Sequence, residues 1–150
     1  MCTSVNPIGE WKDINWTKVE KHVRRLQNSI FKAVKSGNKA KAKKLQRLLH
    51  DSYYARLLAV RKVTQDNTGK KTAGIDGKKN LSPVERLQLA DELADKEYKA
   101  KQLRRVRIPK PNSNEERCLG IPTIKDRAVQ ALVKLGLEPY WEAQFEVDSY

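Results

Sequence analysis

Cysteine is scarce in this 150-residue chain: Cys2 and Cys118 are the whole complement. Far apart, and with no CxxC or neighbouring histidine cluster, they support neither a disulfide framework nor a zinc site. A reducing, cytoplasmic setting is expected. Histidine is as rare, and His22 and His50 both fall in basic helical stretches where surface positions are expected. No apolar run approaches the about 18 residues that span a bilayer, and residues 1–10 lack a basic start followed by an apolar stretch. Neither a membrane partner nor a secretion signal is therefore expected. Acids are the other shortage, with 18 Asp and Glu against 31 Lys and Arg and a net charge of +13. So strong an imbalance points to a polyanionic partner, nucleic acid before an acidic membrane surface. The acids present are scattered, so no carboxylate set for a metal or for acid–base chemistry emerges, and no catalytic residue is assigned.

What the chain does have is enough apolar content, 39%, for about one core. Its charge is concentrated: residues 17–63 hold nine Lys and five Arg against Glu20 and Asp51, a net +12. Thr17 with Glu20 reads as a capping box, and Val19, Val23, Leu26, Ile30 and Val34 recur at helical spacing until Gly37. A second helix is expected from about Asn38 through Val63, antiparallel to the first, with Leu45, Leu48, Leu49, Ala55, Ala59 and Val63 on one side. Its first half carries Lys39, Lys41, Lys43, Lys44 and Arg47. Cations near a helix start oppose its macrodipole by about 0.3–1 kcal/mol, so folding supplies no reason for them there. Binding does.

Residues 66–80, with three glycines and repeated lysines, form a loop that lacks a Walker A pattern. Ser82, Pro83 and Glu85 open a third helix expected to reach about Ala100. Residues 105–108 then alternate as a strand, and Arg117 to Ile121 return, giving a β-hairpin over 104–121 with basic side chains on one face. Thr123 and Asp126 cap a fourth helix, which Pro139 is expected to break before a short turn through Phe145. The fold class is mainly α with a β-hairpin (α+β).

Four segments, AVRKVTQDNTGKKTAGIDG (59–77), RVRIPKP (105–111), LGIPTIKDRAVQALVKLGLEP (119–139) and the closing SY, together resemble the N-terminal part of a group II intron reverse transcriptase and maturase. WKDINW (11–16) and the early helices resemble that family's N-terminal extension. The resemblance implies two parts: residues 1–82 as the extension, a helical hairpin with a basic loop, and 83–150 as part of the fingers. It implies that Lys110 and Arg117 clamp the triphosphate of an incoming nucleotide, a task suited to a point charge and a planar fork. Arg127, in the family's IPT…DR segment, becomes a candidate for the RNA path beside Ile121, Pro122 and Thr123. Lys70, Lys71 and Gly74 become candidates for RNA-backbone contact near the template. Arg105 and Arg107 join them as RNA-binding candidates, and the second helix would grip structured RNA through Lys39, Lys41, Lys43, Lys44 and Arg47.

Two departures stand out. The hairpin turn carries Ser113, Asn114, Glu115 and Glu116 where the family has glycine and basic residues, which places two carboxylates beside the clamp. The paired palm aspartates that hold the polymerase's Mg2+ are not among these 150 residues, so no cofactor is expected in this chain. The implied partners are intron or template RNA, with target DNA, dNTP and the remaining polymerase domains in the full-length enzyme. A stand-alone RNA-binding module for intron splicing, a CRISPR-associated reverse transcriptase and a generic basic DNA-binding protein are the other readings. The last lacks any helix-turn-helix, zinc-finger or basic-zipper pattern.

Overall fold

The structure is a computed structural model, and it describes residues 9–145. Five helices and one antiparallel hairpin account for its regular structure: α1 (Trp16–Lys35), α2 (Lys39–Asp51), α3 (Tyr53–Arg61), α4 (Pro83–Glu92), β1 (Arg104–Pro109), β2 (Glu116–Ile121) and α5 (Ile124–Phe145). The expected mainly α fold with a hairpin is what is found.

Asn15, rather than Thr17, caps α1: its side chain accepts from the Lys18 amide, and the helix begins at Trp16. Gly37 ends it with φ +77°, a conformation glycine adopts without steric cost. The expected single helix over 38–63 is instead two, parted at Ser52, whose backbone is extended. The pattern of burial explains the break. In α2 only Ala42 and Leu49 are buried, two turns apart on one face, whereas α3 buries Ala55, Leu57, Ala59 and Val60. A straight continuation would leave part of that second set in water, and Leu48, expected inward, is 56% exposed. After α3 the chain widens into a π-turn over Lys62–Asp66, where the Thr64 hydroxyl donates to the Val60 carbonyl at 2.6 Å.

The Ser82–Glu85 capping box at α4 forms as expected, but the helix stops at Glu92 and not near Ala100. The residues beyond it are claimed by buried Asp126, whose carboxylate accepts from Tyr98 Oη at 2.8 Å and from the Lys101 amide at 3.1 Å. Tertiary hydrogen bonds outweigh local helical ones there. The strands pair Arg104 with Ile121 through Pro109 with Glu116.

Pro139 does not break α5, which runs on to Phe145. Proline removes the amide that would serve the Leu135 carbonyl, and the Gln27 side chain from α1 donates to that carbonyl at 3.0 Å. Gln46 of α2 donates to the neighbouring Gly136 carbonyl at 3.0 Å. Two glutamines from other helices thus support the helix at its weak point. Around α1, α3 and α5 lies one hydrophobic cluster, including Val23, Ile30, Leu49, Leu57, Val60, Leu89, Ala128 and Leu132, so side chains from both sides of residue 82 share it.

Candidate nucleic-acid interface

On α2, Lys39, Lys41, Lys43, Lys44 and Arg47 are all exposed, and none has an ion-pair partner among the described residues. At about 100° per residue, Lys41 and Lys43 point to opposite flanks, so these cations cover the helix's whole exposed arc. The sequence reading missed their continuation on α1. There Lys21, Arg25 and Lys32, spaced by steps of four and seven with Asn28 between them, line the side opposite buried Val19, Val23 and Ile30. That spacing was available in the sequence as the complement of the apolar stripe. Glu20, off the stripe, lies 3.5 Å from Arg61, whose guanidinium also sits 4.6 Å from the Trp16 ring centre.

The β-hairpin treats its cations differently. Arg105 and Arg107 share one face with Cys118 and Gly120, while Val106, Ile108 and Arg117 lie on the other, where Lys110 extends the alternation. Lys110 Nζ is 2.7 Å from Glu115 Oε2, and Arg107 is 3.8 Å from Glu116. The carboxylates of the turn therefore engage two of the candidate cations directly. Arg117 is exposed, with no ion pair among the described residues.

The loop between α3 and α4 is held in place. Arg127, half-buried, donates to the carbonyls of Gly69 (2.8 Å), Thr72 and Pro122 (3.1 Å), so its fork ties the loop to the start of α5. Burial lowers the pKa of this guanidinium, with Asp76 acting in the opposite sense. Arg104 Nε donates to the Ala73 carbonyl at 2.9 Å. Gly74 is buried, and a Cβ there would lie 2.6 Å from Thr123 Cα. The close approach this glycine permits is to the Pro122–Thr123 backbone. Lys70 Nζ donates to the Gln65 carbonyl at 3.1 Å, while Lys71 is exposed.

Asp126 does more than cap. Thr123 Oγ1 donates to its carboxylate at 2.9 Å and accepts from its amide at 3.1 Å, and with Tyr98 and Lys101 this carboxylate joins α5 to the segment leading into β1. Burial pushes the Tyr98 phenol up, helped by its bond to Asp126. His50, expected at the surface, is half-buried, and its Nε2 lies where a Cβ on Gly136 would come within 2.7 Å. His22 is exposed, as expected, against the Tyr54 ring. Along α5, Val133, Leu137, Trp141 and Phe145 form an exposed apolar stripe at four-residue spacing.

Among the described residues no group of three or more His, Cys, Asp or Glu is placed to hold a metal ion. No helix among the described residues is long and apolar enough to cross a membrane.

Residues 11–93 match the family model for the N-terminal domain of reverse transcriptase. Among individual proteins, the chain is 35% identical over 148 residues to maturase-like protein 1 of Euglena gracilis, covering 92% of this chain and 30% of that protein. It is 37% identical over 113 residues to protein YkfC of Escherichia coli K12 (71% of this chain, 29% of YkfC). It is also 37% identical over 86 residues to the group II intron-encoded protein LtrA of Lactococcus lactis (56% of this chain, 14% of LtrA). The chain thus spans less than a third of the length of each of these relatives. It belongs to the reverse-transcriptase family, as an N-terminal region of the group II intron-encoded, maturase type.

Proposed function

We propose that this region holds structured RNA for an RNA-directed DNA polymerase of the group II intron type. The observation that carries the reading is the exposed cation surface of Lys21, Arg25 and Lys32 on α1 and Lys39, Lys41, Lys43, Lys44 and Arg47 on α2, for which no ion-paired carboxylate is found among the described residues. Such a surface gains little by folding and much by displacing counterions from a phosphate backbone. Lys71 of the loop and Arg105 of the hairpin add exposed cations for the RNA, and Arg107 adds one that Glu116 engages at 3.8 Å. Arg127 and Gly74 act by shaping the loop, and Lys70 sits in that loop with its ammonium partly engaged.

Lys110 and Arg117 contact the triphosphate of the incoming nucleotide in the complete enzyme, where Glu115 competes for Lys110. Catalytic carboxylates and their Mg2+ belong to the remaining polymerase domains, as do target DNA and dNTP chemistry. The relatives are more than three times as long as the segment they share with this chain, and the apolar stripe of α5 is the face on which those further domains pack. The setting is the cytoplasm.

The test is RNA binding by the chain across a salt series. Replacing Lys39, Lys41, Lys43 and Lys44 by Gln should flatten the log–log salt dependence by up to about 0.7 per lost phosphate contact. An unchanged slope returns these lysines to a merely solvated face. Equal affinity for duplex DNA and structured RNA would instead favour a generic basic DNA-binding protein.

A further inference from the structure

Arg86 of α4 is half-buried, and its Nε has no hydrogen-bond partner among the described residues. No carboxylate among the described residues is ion-paired with it. Its guanidinium carbon sits 5.6 Å from the Trp11 ring centre, a cation–π contact that leaves the N–H donors of the fork available. Burial lowers its pKa. A buried N–H donor left without an acceptor is costly, and proteins ordinarily satisfy such groups. Arg127, equally half-buried, shows the ordinary solution with its three carbonyls.

Arg86 lines a cavity of about 340 Å³ whose other walls are Thr64, Gln65, Lys70, Asn80 and Leu81. None of these is acidic. Lys70 spends one of its three N–H groups on the Gln65 carbonyl. Gln65 uses its carbonyl oxygen to accept from Trp11 Nε1 at 3.1 Å, which leaves its amide N–H groups as donors. Asn80, at φ +51°, is fixed in the left-handed region by the turn that brings its backbone amide to the Lys70 carbonyl at 3.1 Å. One forked cation, one point cation and two primary amides surround a space large enough for a tetrahedral anion.

We propose that this cavity is a phosphate site, in which Arg86 and Lys70 together neutralise a phosphate group. Two cations match a free phosphate, which is close to doubly charged at neutral pH, and a guanidinium offers two parallel N–H groups to the oxygens of either a free phosphate or a singly charged phosphodiester. The phosphate comes either from an RNA backbone or from a free anion. The site stands apart from the α1–α2 surface and does not depend on the reading given to that surface.

The experiment follows the Arg86 Nε–H and Trp11 Nε1–H signals by nitrogen–proton correlation NMR on the full chain. Inorganic phosphate is added at constant ionic strength, and in parallel a short RNA duplex. Both signals should shift saturably, and Arg86→Gln or Lys70→Gln should weaken the effect, read at the Trp11 signal, by about tenfold or more. Saturation by inorganic phosphate identifies a free-anion site, whereas a shift produced by RNA alone identifies a backbone phosphate. Arg86→Gln should change the melting temperature little, because loss of the Trp11 cation–π contact is offset by removal of the unsatisfied Nε donor. A lowered melting temperature, with phosphate still shifting Trp11 in the variant, makes Arg86 structural and overturns the proposal. So does the absence of any shift with either probe. RNA bound with both signals undisturbed would overturn this site while leaving RNA binding by α1 and α2 intact.

Discussion

The loop at 66–80 and helix α2 are both rich in lysine and glycine or alanine, yet their surroundings use charge in opposite ways. Around the loop, cations are turned inward as staples: Arg127 on three carbonyls, Arg104 on Ala73, Lys70 on Gln65. On α2 the cations are turned outward with no partner among the described residues. The difference teaches that a count of basic residues does not measure a binding surface. A guanidinium satisfied by backbone carbonyls contributes to the shape of the chain, whereas an unpaired ammonium on a helix contributes only to the field outside it.

The sharpest break of that contrast is Gly74→Ala. Its new Cβ would meet backbone, which moves less readily than a side chain, so a loss of about 1–3 kcal/mol or more is expected. Urea unfolding of the two chains side by side measures it. Next comes Arg127→Met, which leaves the Gly69, Thr72 and Pro122 carbonyls without their donor and should cost about 1–3 kcal/mol. Faster amide exchange confined at first to residues 69–77 would mark the loss of the staple, and Arg127→Lys should restore only part, lacking the fork.

The fourfold Lys→Gln change in α2 sits on the other side of the contrast. It should move stability by less than about 0.5 kcal/mol per site while flattening the salt dependence of RNA binding. A large fall in melting temperature would show that these lysines, too, are structural.

Glu115→Gln tests the intermediate case of the hairpin. Freed from its exposed partner, Lys110 should change stability by less than about 1 kcal/mol. In a complete polymerase carrying this segment the substitution should lower the KM for nucleotide. Lys110→Ala or Arg117→Ala should raise that KM more than it weakens template binding.

The smallest effect belongs to Glu85, whose carboxyl is held below its ordinary pKa first by the Ser82 amide and then by the Ser82 hydroxyl. A depressed carboxylate pKa adds stability that is fully present above the unfolded value and lost as pH falls through the folded one. The melting temperature should therefore drop with acid slightly less in Glu85→Gln than in the parent chain.

Local chemistry was legible wherever neighbours in sequence are also the interacting partners. The Ser82–Glu85 box, the Gly37 stop, the alternation of β1 and the Thr123–Asp126 cap all join residues within a few positions of one another. Legibility failed at Asn15, where two local caps competed and the earlier one prevailed. It failed at Ser52 and Pro139 for a different reason. A periodic pattern cannot say that α3 will be covered on several sides, nor that Gln27 will travel from α1 to serve Leu135. Of the candidate site, the charge of α2 was visible directly, the outer face of α1 was visible but passed over, and the burial of Gly74 was hidden.

Composition and order along the chain were thus enough to establish a basic, mainly helical protein with one hairpin, because periodicity, caps and net charge are properties of short stretches. Only the packed structure decided which cations face water and which serve as internal staples. That choice depends on carbonyls and carboxylates many residues away, as with Arg127 on Gly69 and Asp126 on Tyr98, and on the cavity in which Arg86 Nε has no hydrogen-bond partner among the described residues.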